Sequence, residues 1–152
     1  MKSAYYSLIL LLIIGCSQKE PNFSVSCDTL VGTKVMQVIH LDFNFKENTV
    51  VERKVPTESG ILLDNAMIQR GSTPTFNETT REYKIIDVSP TLIKFGNPKS
   101  NNFEIVFSLD RTSLQYTTTV TMYNLDNTIA EPLMEGMPNP SVDTKKCRKP
   151  RI

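Results

Sequence analysis

Apolar and polar residues alternate most clearly between Val31 and Phe45. Six of the eight odd positions in this stretch are apolar. From residue 40 onward the even positions are polar, namely His40, Asp42, Asn44 and Lys46. A repeat of two turns successive side chains to opposite faces of a β-strand. We therefore predict a half-buried strand, bent or broken near Gly32, followed by a turn at 46–48 and a partner strand that ends at Val55.

Short segments of the same kind follow, separated by turn-forming residues. The predicted strands are Tyr83–Val88, Thr91–Phe95, Phe103–Asp110 and Leu114–Leu125. Ile61–Gln69 is apolar without a clear period, and we predict a short strand there and no amphipathic helix in the domain. The proline-rich stretch from Glu131 onward predicts an extended C-terminal segment. Together these patterns predict an all-β fold, a single antiparallel β-sandwich or small barrel behind an N-terminal signal peptide.

The N-terminal residues have a different pattern. Lys2 precedes an aliphatic run of seven residues, Leu8–Ile14. This is the length of the hydrophobic part of a signal peptide and is shorter than the roughly 20 residues that cross a bilayer. The run ends in Ile13-Ile14-Gly15-Cys16, which resembles a bacterial lipobox, where a signal peptidase cuts before a cysteine that carries a lipid. The alternative is an ordinary secretory signal in which Cys16 carries no lipid.

The lipobox resemblance implies a division of the chain and a location. The expected parts are a lipoprotein signal peptide (1–15), a lipidated tether (16–26) and a β-rich domain with an extended C-terminal segment (27–152). Lipid on Cys16 implies attachment to the membrane of a bacterial cell envelope. By analogy with enteric lipoproteins, Ser17 beside the lipid implies the outer membrane, with the domain facing the periplasm.

Composition narrows the classes of partner. The chain carries 17 Lys and Arg against 16 Asp and Glu, and Lys2 is the only charged residue before Cys16, so the exported part is formally neutral. The protein therefore has no excess of positive charge that would favour nucleic acid as a partner. The basic residues near the end are a candidate contact for anionic lipid or simply a solvated tail. They are Lys145, Lys146, Arg148, Lys149 and Arg151.

Three cysteines are present. If Cys16 carries the lipid, Cys27 and Cys147 remain. In an oxidising compartment an even remainder indicates a disulfide, here one that ties the first part of the domain to its last segment. The alternative is a pair of free thiols.

Residues with catalytic chemistry are few. His40 is the only histidine, and on a polar strand face a solvated or hydrogen-bonded role is its ordinary interpretation. A Ser-His-Asp triad could use Asp42, but Asp42 lies about 7 Å along the same strand face and no nucleophile-elbow motif exists. Glu104 and Asp110 share another polar face, where carboxylates are usually solvated. We predict no catalytic residue, no metal site and no cofactor, since a zinc site needs three or four ligands.

Two weaker resemblances concern the domain itself. Leu109-Asp110-Arg111-Thr112 followed by a strand is similar to an ending seen in small uncharacterised exported proteins of bacteria and phages, which implies no activity. Ser59-Gly60 resembles the start of the Ser-Gly-x-x-Tyr motif of lipoprotein inhibitors of c-type lysozyme, although Leu63 stands at the tyrosine position. We expect a non-catalytic binding or structural role with a protein partner. The alternatives are a periplasmic inhibitor of lysozyme or another hydrolase, and an envelope enzyme.

Overall fold

The computed structural model describes residues 22–97, 102–131 and 138–149, and in them eight antiparallel strands follow one another around a closed barrel. One helix, α1, joins the third strand to the fourth. The elements are β1 (Phe23–Val31), β2 (Lys34–Asn44), β3 (Thr49–Pro56), α1 (Glu58–Gln69), β4 (Thr79–Val88), β5 (Leu92–Gly96), β6 (Phe103–Asp110), β7 (Gln115–Met122) and β8 (Ser141–Arg148). The predicted all-β fold is confirmed, and the sheet closes as a small barrel and not as a sandwich.

The period-two pattern identified the inward-facing residues in the second half of β2 correctly. Ile39, Leu41 and Phe43 are buried in the core of the barrel. The break near Gly32 is a tight turn between β1 and β2, in which Gly32 has φ of +62°. A positive φ is accessible to glycine at little cost, so this position suits the turn.

Aromatic rings fill much of the barrel interior. The ring of Phe95 lies 5.5 Å from that of Phe43, 5.3 Å from that of Phe107 and 6.2 Å from that of Tyr116. Tyr83 lies 4.8 Å from Phe107. Eight-stranded barrels have an interior just wide enough for side chains to fill. The described interior is therefore a packed core where these aromatic rings lie.

The barrel closes through a short seam between β1 and β8. Only two residue pairs join these strands in the described residues, Ser26 with Arg148 and Cys27 with Cys147. The predicted disulfide between Cys27 and Cys147 is confirmed, and it connects two residues that face each other across the seam. The C-terminal segment is therefore not only an extended wrap, because 141–148 form the eighth strand of the barrel. That strand was missed because its side chains are mostly exposed and give no apolar period.

The predicted strand at Ile61–Gln69 is wrong, because α1 covers these residues. The side chain of Thr57 caps the helix by accepting a hydrogen bond from the backbone N–H of Gly60 at 3.3 Å. A Cβ at Gly60 would overlap the carbonyl oxygen of Met36, so a glycine here lets α1 approach β2 closely. The buried carboxylate of Asp64 accepts backbone hydrogen bonds from Thr75 and Phe76, both at 2.8 Å, and holds the loop that follows.

The predicted tether is too long. Cys16 and the lipobox lie outside the described residues, but β1 already begins at Phe23, so the last four tether residues belong to the barrel. The ring of Phe23 stacks on that of Phe43 at 4.6 Å. Six residues remain between Cys16 and β1, and a chain of that length spans at most about 20 Å.

Candidate functional site

A row of four polar side chains crosses the outside of the barrel on neighbouring strands. Ser26 on β1 pairs with Arg148 on β8 and with His40 on β2, and His40 pairs with Arg53 on β3. Each of the four has a buried sequence neighbour on its own strand, so alternation turns these four side chains outward. We call Arg148, Ser26, His40 and Arg53 the outer row. Its ends are three strand spacings apart, or about 14 Å between Cα atoms.

The centre of the outer row is a contact between Ser26 and His40. The Ser26 hydroxyl oxygen lies 2.9 Å from Nδ1 of the His40 ring, and the Ser26 side chain is largely buried. If Nδ1 carries the proton, its N–H donates to Ser26 and the serine O–H is left over. If Nε2 carries the proton, the serine O–H donates to Nδ1 and the Nε2 N–H is left over. The pair therefore keeps one hydrogen-bond donor in reserve.

The Asp42 carboxylate, the acid of the triad considered above, is bonded to another residue. It accepts a hydrogen bond from the Ser24 hydroxyl at 2.5 Å. Among the described residues, the His40 ring forms its hydrogen bond with Ser26, and no carboxylate is bonded to the ring. A Ser-His-Asp triad needs an acid to orient the imidazole and a base aimed at the serine, so this arrangement is not one.

The outer row lies in a groove of about 830 Å³ with charges of both signs. Asp28 forms an ion pair with Arg148, and Lys149 also lines the groove. Arg53 is exposed and makes no ion pair or hydrogen bond with any residue that the structure describes. The groove thus holds one guanidinium whose donors are all available to a ligand.

One carboxylate oxygen in the groove lacks a partner. Oδ2 of Asp28 is held by Arg148, but Oδ1 is buried and accepts no hydrogen bond from the described residues. Buried polar atoms are normally satisfied, and an orphan acceptor costs free energy unless a donor reaches it. Asp28 lies two residues along β1 from Ser26, on the same outer face, so this acceptor borders the outer row.

The structure does not bring Glu104 and Asp110 to this site. Both are on β6, on the other side of the barrel and about 20 Å apart along the strand. Glu104 accepts a hydrogen bond from the Tyr123 hydroxyl at 2.9 Å. Asp110 accepts from the backbone N–H groups of Ser113 and Thr112 in the next turn, and these bonds hold the pKa of its carboxyl below the ordinary value. Both have structural explanations.

A second group of ionisable side chains lies inside the barrel, and sequence reasoning missed it. The carboxylate of Glu52 is 1% exposed and accepts hydrogen bonds from the hydroxyls of Tyr116 at 3.0 Å and Tyr83 at 3.4 Å. We call Glu52, Tyr83 and Tyr116 the interior cluster. Burial, and then the charge of Glu52, raise the pKa of both phenols above the ordinary value. Lys54 adds an ion pair to Glu52 at 3.4 Å.

Exposed apolar side chains gather at one end of the barrel, which we call the far end. It carries the β1–β2 turn, α1 and the start of β8, whereas β1 begins and β8 stops at the opposite, near end. The most exposed is Leu125, at 94%. The others of this set at the far end are Leu30, Val31, Ile61, Leu62, Ile68, Phe103, Met122, Ile129 and Val142.

The other predicted residues have structural positions. Ser59 and Gly60, compared above with an inhibitor motif, lie in the first turn of α1. Lys145 pairs with Asp143 on β8 rather than forming part of a free tail, and Arg151 lies outside the described residues. Among the side chains described, no group of three or more His, Cys, Asp or Glu is placed to hold a metal ion.

Comparison with known proteins does not assign the chain to a family. The chain matches no protein-family model, no curated protein and no solved structure. Within 22–97, 102–131 and 138–149, no helix has the length and hydropathy needed to cross a membrane.

Proposed function

We propose that this protein is a lipoprotein of the bacterial cell envelope whose barrel binds a partner without catalysing a reaction. The proposed anchor is a lipid on Cys16, supported by Ile13-Ile14-Gly15-Cys16 and the short aliphatic run before it. The proposed location is the outer membrane, with the barrel facing the periplasm, and it rests on Ser17. The short connection from Cys16 to Phe23 would keep the near end of the barrel close to the membrane surface.

The observation that carries the binding role is the contrast between a filled interior and a groove with unused donors. The packed aromatic core leaves little room for a ligand in the described interior. Outside, Arg53 and one donor of the Ser26–His40 pair have no partner in the described residues. Recognition on the outer wall of the barrel is therefore the role that the geometry supports best.

The same contacts support a non-catalytic role. Proton transfer in hydrolysis needs a base whose orientation is fixed by a further group, and a stabiliser of developing negative charge. The His40 ring is bonded to Ser26 through Nδ1, while Asp42 bonds Ser24. The two carboxylates considered on β6 have other partners: Glu104 accepts a hydrogen bond from Tyr123, and Asp110 accepts hydrogen bonds within the turn that follows.

A second candidate is inhibition of lysozyme or another hydrolase, and the far end of the barrel favours it. Protein interfaces bury apolar side chains, and contiguous exposed apolar surface often marks them. Leu30, Leu125 and Val142 are all more than half exposed at this end. An inhibitor of this kind would dock through the far end, which points away from the proposed anchor.

The anchor is tested by metabolic labelling. The full gene is expressed in a bacterium grown with radiolabelled palmitate, beside Cys16→Ala and, as a matched control, Cys27→Ala. We expect label in the wild type and in Cys27→Ala and none in Cys16→Ala. Absence of label in the wild type, or equal label in Cys16→Ala, would reject the anchor, and recovery in the inner-membrane fraction would reject the outer-membrane location.

The non-catalytic role is tested with a quadruple variant. His40→Gln, Asp42→Asn, Glu104→Gln and Asp110→Asn together remove the titratable groups considered for catalysis. We expect the folded variant and the wild type to be equally inactive in peptidoglycan and ester hydrolysis screens. Turnover by the wild type that disappears in a folded quadruple variant would establish the enzyme alternative.

A further inference from the structure

We propose that the groove around the outer row binds a phosphate ester whose substituent carries a hydrogen-bond donor, such as an ammonium group. This inference rests on the binding role proposed above and names the ligand chemistry. It is argued from the unused guanidinium of Arg53, the reserve donor of the Ser26–His40 pair and the orphan oxygen of Asp28.

The phosphate end of the ligand is assigned to Arg53 and the Ser26–His40 pair. A guanidinium offers a planar fork of N–H donors that matches two oxygens of a phosphate. Arg53 and His40 are cross-strand partners on β3 and β2, so their side chains leave the outer face of the sheet next to each other. Lys149 adds a further positive charge on the groove wall. Donors from more than one side suit a tetrahedral anion, which has several free oxygens to satisfy.

The donor end of the ligand is assigned to Asp28. Its Oδ1 accepts no hydrogen bond from the described residues and is covered in the free protein. The Asp28 side chain is 24% exposed, so a rotation of the carboxylate would present Oδ1 to a ligand N–H, which would satisfy it. The ion pair with Arg148 keeps this carboxylate in place beside the outer row. The groove thus offers Arg53 and Lys149 to a phosphate and the carboxylate of Asp28 to an ammonium group, and a second carboxylate, Asp42, also lines it. A ligand with a phosphate and a nearby ammonium group matches charges of both signs.

The groove is built on rigid elements. Three of the four row residues lie on the continuous ladder β1–β2–β3, and the fourth, Arg148, follows the half-cystine Cys147 directly. The disulfide fixes the register in which Arg148 faces Ser26. The backbone of the site therefore needs little ordering on binding, which favours affinity for a small ligand, and the main ordering cost is that of the exposed Arg53 side chain.

The test measures affinity for O-phosphoethanolamine by titration calorimetry and by NMR shifts of the His40 ring, with the full-length protein purified in non-ionic detergent. We expect saturable binding with shifts at His40, and at least about tenfold weaker binding to Arg53→Gln. The matched control is Arg70→Gln, which removes an exposed arginine at the end of α1 and should leave the affinity unchanged. No binding to the wild type, or equal affinity for Arg53→Gln, would overturn the proposal.

A second arm tests the role of Asp28. O-phosphocholine has the same charges as O-phosphoethanolamine but no N–H donor. We expect the wild type to prefer the ethanolamine compound by several-fold, and Asp28→Asn to bind both with similar affinity. Equal affinity of the wild type for the two compounds would overturn the assignment of Asp28.

The source of the ligand is distinguished with a soluble diester. Glycerophosphoethanolamine reproduces a lipid headgroup, whereas O-phosphoethanolamine is a free monoester. Tighter binding of the diester would assign the groove to a headgroup, and tighter binding of the monoester to a soluble metabolite. Because the labelling of Cys16 is a separate measurement, a groove that binds nothing on a labelled protein would reject this inference and leave the anchor intact.

Discussion

The interior cluster and the outer row use similar side chains in opposite ways. In the interior cluster, the carboxylate of Glu52 is 1% exposed and its two oxygens accept hydrogen bonds from Tyr83 and Tyr116. In the outer row, the Ser26–His40 pair keeps one donor in reserve and Arg53 has no partner in the described residues. Charge in the first region is satisfied by the fold, and charge in the second region is left for a ligand.

The comparison shows that burial alone does not identify a functional group. The largest upward pKa shift resolved for a described residue belongs to Tyr116, and it arises from burial and from the charge of Glu52 within a complete hydrogen-bond network. Structural networks perturb pKa values as active sites do. The better indicator here is unused hydrogen-bonding capacity at a rigid surface, which the outer row has.

The largest expected effect comes from the disulfide at the seam of the barrel. Cys27 and Cys147 point into the core, and the adjacent pair Ser26 and Arg148 belongs to the outer row. Because only two residue pairs close the seam within the described part of the chain, we expect Cys27→Ala with Cys147→Ala to lower the free energy of unfolding by about 2–5 kcal/mol. Denaturant unfolding of the double variant measures this. A loss below about 1 kcal/mol would show that the seam closes without the disulfide.

The next effect isolates the interior cluster. Tyr116→Phe removes the closer hydroxyl from Glu52 and leaves a buried carboxylate oxygen without that donor, so we expect a loss of about 2 kcal/mol in unfolding free energy. Tyr123→Phe is the matched control, because it removes a tyrosine–glutamate hydrogen bond of 2.9 Å at the surface. We expect a much smaller loss there, since water can replace the hydroxyl. Equal losses in both variants would contradict the structural role assigned to the interior cluster.

A smaller effect is a loss of stability in alkali. An unfolded tyrosine ionises near pH 10, whereas burial and the charge of Glu52 raise the folded-state pKa values of Tyr83 and Tyr116. The contribution of these phenols is therefore complete below about pH 10 and declines above it, because only the unfolded state then releases the protons. Unfolding free energies measured from pH 8 to 11.5 should fall less steeply for Tyr116→Phe than for the wild type. Parallel curves would contradict the assignment.

Much of the barrel could be predicted from the sequence, because half-buried strands leave a period of two. Ile39 and Leu41, at odd positions of the predicted Val31–Phe45 strand, are buried as the alternation indicates. The helix α1 was missed for a physical reason. Its buried residues include Gly60 and Asp64, while Leu62 is exposed, so no apolar stripe marks it as a helix.

The outer row could not be predicted to the same extent. His40 was recognised as a polar residue on a strand face, but Ser26 fell in the predicted tether and Arg148 in the predicted tail. These residues meet only because β1 pairs with β2 on one side and with β8 on the other. Cross-strand register is set by the closed barrel, and a single sequence does not state it. The polar positions of β1, which alternate with Val25 and Cys27, are the signal that could have revealed Ser26.

The contrast between a structural interior cluster and a ligand-binding outer row is tested most directly by thermal unfolding. Tm is measured with and without O-phosphoethanolamine, at constant ionic strength, for the wild type, Arg53→Gln and Tyr116→Phe. A ligand that binds only the folded state raises Tm in proportion to its occupancy. We expect Arg53→Gln to keep the Tm of the wild type but to lose the ligand-induced rise, because the exposed Arg53 side chain has no partner among the residues that the structure describes. Tyr116→Phe should melt at a lower temperature and retain the full rise. A full rise in Arg53→Gln, or its loss in folded Tyr116→Phe, would contradict the account.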